Sequence, residues 1–65
     1  MIALDDQIAE VKRELGMRRH VYPRFVDQKR MTPQQAAQRI ALLEAVQDSL
    51  ERLRDEQRPS LFDAA

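Results

Sequence analysis

The sequence contains no cysteine and no tryptophan, a single glycine, and only three aromatic side chains, Tyr22, Phe25 and Phe62. Without cysteine there is neither a disulfide nor a thiolate metal site to hold a small core together. So few turn glycines and so few strand-forming aromatics exclude a sheet protein and leave an all-helical one. Long apolar runs are absent too. Met1 to Leu4 and Ile40 to Leu43 are the longest, far short of a bilayer span or a signal-peptide core, so the expectation is a soluble, cytoplasmic protein with no membrane partner. Nor is there a charge surplus: 11 Lys and Arg stand against 11 Asp and Glu, which rules out a generic polycation. Chemistry-bearing groupings are equally scarce. There is one histidine, His20, no glycine-rich phosphate loop and no paired metal-ligand spacing, and two helices do not readily enclose a water-excluding pocket. The reading is a non-enzyme that needs neither cofactor nor metal.

What the 65 residues do contain is periodicity. Leu4, Ile8, Val11, Leu15, Arg18, Tyr22 and Phe25 alternate steps of four and three, a heptad seam interrupted only by Arg18. At 100° per residue the seam, with Val26, fills an arc of about 100°, suited to a single neighbouring helix. Helix 1 is expected to begin near residue 3, with Asp5 and Asp6 at the positive end of its dipole. Pro23 should kink or briefly break it at residues 20 to 23, since proline in a helix interior costs about 3 kcal/mol.

The second helix announces itself more clearly. Thr32-Pro33-Gln34-Gln35 supplies an N-cap hydroxyl, a proline at the first helical position and a glutamine placed to close a capping box. It should run from Pro33 to about Gln57, where Arg58-Pro59 ends it, so residues 1–58 form a helical hairpin and residues 59–65 a C-terminal tail. The short connection around Lys29 to Met31 forces the helices antiparallel. Facing residue numbers should then sum to about 61, setting Leu15 near Val46, Val11 near Leu50, Ile8 near Leu53 and Tyr22 near Ile40.

Helix 2 is apolar over a wider arc. Leu42, Leu53, Val46, Leu50, Leu43, Ala36 and Ile40 cover about 160°, more than one partner helix can bury. A lone hairpin of this size buries too little apolar surface to offset its chain entropy. The expectation is a homodimer forming a four-helix bundle, with Leu15, Leu42, Leu43, Val46, Leu50 and Leu53 supplying the core and the dimer contact.

The zero net charge conceals segregation. Residues 12–39 hold Lys12, Arg13, Arg18, Arg19, Arg24, Lys29, Arg30 and Arg39 against Glu14 and Asp27, a surplus of six that the two chain ends cancel. In a hairpin this makes a basic tip and an acidic open end. Two readings stand side by side. Arg18, Arg19, Tyr22, Arg24, Lys29, Arg30 and Arg39 could engage nucleic acid or an acidic protein, or the poles of two copies could neutralise each other. Arg18 and Arg39 interrupt otherwise apolar faces, and either reach out to solvent or pair, Arg18 with Glu14 in the first instance.

The tail carries a separate signal. Ser60-Leu61-Phe62 resembles the end of the sliding-clamp-binding peptides of bacterial replication and repair proteins, whose usual form is Gln-Leu-Ser/Asp-Leu-Phe. Arg58 and Pro59 depart from that pattern. A clamp-binding role and a fold-back of Leu61 and Phe62 onto the open end near Leu4 and Ile8 both remain open.

Finally, Ile8-Ala9-Glu10-Val11, Met17 through Val26 with its Val-Tyr-Pro-Arg stretch, Arg30-Met31-Thr32 and Ile40 through Val46 together resemble a group of small uncharacterised phage- and prophage-encoded proteins of proteobacteria. The likeness spans roughly residues 4 to 55. Such relatives often carry glycine where this chain has Lys29, leaving Lys29 or Gln28 to take the turn geometry. The resemblance implies a phage or prophage context, favours a host-directed or DNA-replication role over housekeeping metabolism, and brings no catalytic residues and no established activity. With the hairpin and its tail, the expectation is an interaction protein that binds a host or phage replication or regulatory protein.

Overall fold

A computed structural model describes residues 1–57. Two helices, α1 (Leu4–Asp27) and α2 (Pro33–Gln57), pack against each other, and the described residues contain no strand. Contacts between Arg54 and Asp5, Lys12 and Glu51, and Arg19 and Glu44 set the helices antiparallel. These pairs bracket the register expected from the loop length.

α1 starts weakly and ends firmly. Ala3, its N-cap, offers no side-chain acceptor; Asp5 and Asp6 supply negative charge to the first turn, and Gln7 Nε2 donates to the Ile2 carbonyl at 2.9 Å. At the other end Lys29 takes a left-handed backbone, φ 60°. The Arg30 N–H then reaches the Phe25 carbonyl at 2.9 Å and the Lys29 N–H the Val26 carbonyl at 3.0 Å, the paired bonds of a Schellman closure. The Arg30 guanidinium lies 4.4 Å from the Phe25 ring centre, taking the place of the apolar contact that usually accompanies this closure.

Pro23 does not break α1, which continues through it to Asp27. Of the kink or short break expected at residues 20 to 23, the break is corrected. The physical reason lies on both sides of the proline. Tyr22 is buried and Phe25 and Val26 are half-buried, so the last turn is held by packing that offsets one lost backbone bond. α2 begins at Pro33 with both arms of its capping box made. The Gln35 N–H donates to Thr32 Oγ1 at 3.0 Å, and the Thr32 N–H to Gln35 Oε1 at 3.1 Å.

The core between the helices is thin. Ile8, Leu15, Tyr22 and Ala36 are the buried residues. Around them Leu4, Val11, Phe25, Ile40, Leu43 and Leu50 are half-covered, as are Gln47 and Arg54. Along α2 the covered positions are therefore Ala36, Ile40, Leu43, Gln47, Leu50 and Arg54, a narrow heptad seam. Val46 and Leu53 sit at the expected level along α2 but off this face, 45% and 41% exposed.

Candidate interaction surfaces

The hairpin has two dissimilar sides. On one, a ladder of ion pairs runs its length. Arg54 Nη1 lies 3.3 Å from Asp5 Oδ1, Lys12 Nζ 4.0 Å from Glu51 Oε1, and Arg19 Nη2 2.7 Å from Glu44 Oε2. Each pair has an exposed member, so these contacts guide register more than they add stability. Glu10 and Arg13 pair along α1 itself, and the Arg13 hydrogen bond, with its positive charge, holds the Glu10 carboxyl below its ordinary value against an opposing effect of desolvation. Both groups are fully exposed. Because the folded form favours the ionised carboxylate, this pair's support for the fold is complete above the ordinary carboxylate range and is lost as pH falls from there through the lowered value of the folded form.

The other side of α2 is apolar and uncovered. Leu42 is 60% exposed, and with Val46 and Leu53 it forms a stripe running down the helix. At 100° per residue the stripe lies roughly 100° around α2 from the face turned to α1, on the flank opposite the ion-pair ladder. Near the open end it merges with a groove of about 400 Å³ whose walls include Ile2, Leu4, Gln7, Leu50 and Leu53. Single exposed leucines are ordinary on protein surfaces; here three large apolar side chains share one flank of one helix.

The basic residues singled out in the sequence divide into several groups. Arg18 is half-buried, its Nε 3.1 Å from Glu14 Oε1 and its Nη1 donating to the Arg39 carbonyl at 3.1 Å. It pairs with the expected carboxylate and also joins the two helices. Arg19 is held by Glu44. Tyr22 is 9% exposed and belongs to the core, with the Arg18 guanidinium 6.0 Å from its ring centre and Phe25 6.1 Å away. Its seam position decides this, and the tip is left with a smaller aromatic surface than the composition suggested. Arg24, Lys29, Arg30 and Arg39 are exposed and have no carboxylate partner among the described residues. His20 is exposed, its Nε2 3.5 Å from Arg24 Nη2.

Of the residues assigned to the bundle core, Leu15 is buried, Leu43 and Leu50 are half-buried, and Leu42, Val46 and Leu53 form the open stripe. Ser60, Leu61 and Phe62 lie outside the described residues. Sequence reasoning overlooked Gln47 and Arg54, polar residues on the covered seam. Their spacing from Leu43 and Leu50 is the signal that could have found them.

Among the described residues no three metal-ligating side chains converge, no buried side-chain polar atom lacks a partner, and no helix is long and apolar enough to cross a membrane. No protein-family model, curated protein or solved structure matches the chain.

Proposed function

We propose that this chain is a non-enzymatic interaction protein of phage or prophage origin. It acts in the host cytoplasm as a homodimeric four-helix bundle that binds a host or phage replication or regulatory protein. The supporting observation is the stripe of Leu42, Val46 and Leu53, left open on α2 beside a core of four buried residues. A hairpin with so little enclosed apolar surface gains most from a second hairpin laid on that stripe. Light scattering on the full chain at micromolar concentration tests the dimer. Twice the 7.6 kDa chain mass is expected, and a folded monomer overturns the proposal. The Ser60-Leu61-Phe62 tail is a route to the partner, and titration of a bacterial sliding clamp with the full chain and with Phe62→Ala tests it. Tight binding lost in the variant supports the clamp as partner; no binding by either chain removes it.

A second reading rests on Arg24, Lys29 and Arg30, which crowd the tip without carboxylate partners among the described residues. They would suit a phosphate backbone, and nucleic-acid binding by this route weakens steeply with salt. Arg24→Glu with Arg30→Glu should abolish it while leaving self-association intact.

A further inference from the structure

We infer that α2 seats against α2 of a second copy running in the opposite direction, with facing residue numbers summing to about 95. This rests on the self-association proposed above and adds to it an orientation and a register. The open face of α2 consists of two heptad columns, Arg39, Val46 and Leu53 beside Leu42, Ser49 and Glu56. All six are exposed in the hairpin, and they span an arc of about 100°.

In an antiparallel helix pair each column faces the other. Leu42 then meets Leu53 of the second copy, and Val46 meets its Ser49, whose small side chain lets the helices approach at the twofold axis. The same register sets Arg39 beside Glu56 of the second copy at both ends of the seam. Neither has an ion-pair partner among the described residues. A parallel pair instead sets Leu42, Val46 and Leu53 each against its own copy and stacks Arg39 on Arg39 and Glu56 on Glu56, like charges at both ends.

The rest of the molecule agrees with the antiparallel choice. The corresponding flank of α1 carries Gln7, Glu10 and Glu14, with Met17 and Val21 only toward the tip, so α2 offers the longer apolar contact. Antiparallel docking also lays each basic tip toward the other copy's acidic open end, where parallel docking would set tip against tip.

The chain has no cysteine, which makes cross-linking clean. Full-length Leu42→Cys and a mass-tagged Leu53→Cys, mixed, allowed to exchange and then mildly oxidised, should give the mixed disulfide in preference to either self-linked product. Each variant linking to itself overturns the antiparallel register while leaving the dimer standing. Monomeric wild-type chain by light scattering overturns both. Charge reversal supplies a measurement that does not touch the apolar layers. Arg39→Glu or Glu56→Arg alone should weaken association on the order of tenfold at low salt, and both in one chain should restore it. Singles that associate as tightly as wild type overturn the Arg39–Glu56 layer and the register with it.

Discussion

Lys29 occupies a backbone position that glycine fills at no steric cost. Its φ of 60° brings Cβ toward the carbonyl, a strain of roughly 1–2 kcal/mol for a residue with a side chain. The position is held because two closing hydrogen bonds need it and because Arg30 lies over Phe25 once the turn is made. Lys29→Gly should therefore stabilise the protein by about 1 kcal/mol, raising the thermal midpoint by roughly 4–8 °C. Thermal unfolding followed by circular dichroism checks this, and an unchanged or lowered midpoint would show the turn to be unstrained. From the sequence, Gln28 and Lys29 were equal candidates for this geometry, because either is one step from a closed turn. The hydrogen bonds from Arg30 to Phe25 and from Lys29 to Val26 distinguish them, and those depend on where α1 stops packing.

At the scale of the element, local chemistry foretold the starts better than the interruptions. Thr32 and Gln35 form the box their spacing required, and the seam from Leu4 to Phe25 faces α2 as its period demands. Pro23 was harder to read because its penalty is local while its compensation is tertiary. The burial of Tyr22 and the partial cover of Phe25 hold the helix together across it. Pro23 is exposed and makes no ion pair or side-chain hydrogen bond, so Pro23→Ala should restore the bond to Arg19 at little packing loss. A gain of up to about 3 kcal/mol is expected in denaturant unfolding. Gly16, exposed and with nothing within 4 Å of a built Cβ, gives a smaller counterpart within the same helix, about 1 kcal/mol for Gly16→Ala. A Pro23→Ala gain no larger than that of Gly16→Ala would mean α1 already bends to accommodate the proline at little cost.

For the whole molecule, the central fact is that α2 is apolar on more of its circumference than α1 covers. The width of that arc was legible in the sequence; which part α1 would take was not. Val46 and Gln47 are neighbours, and the structure turns the glutamine toward α1 and the valine outward. In the same rotation of α2, Glu44 and Glu51 meet Arg19 and Lys12 on one flank and the leucine stripe emerges on the other. With four residues buried in the hairpin and three large apolar side chains exposed on α2 alone, folding and association should be a single equilibrium. Its signature is mass action. Each tenfold rise in concentration should favour the dimer by about 1.4 kcal/mol, shifting the thermal midpoint upward by several degrees per decade. Val46→Lys, which sets a cation on the stripe without touching the α1 seam, should lower the midpoint most at high concentration and flatten that dependence. A midpoint constant over a hundredfold range of concentration would mean that the thin hairpin core, with its ion-pair ladder, is sufficient to fold the chain alone.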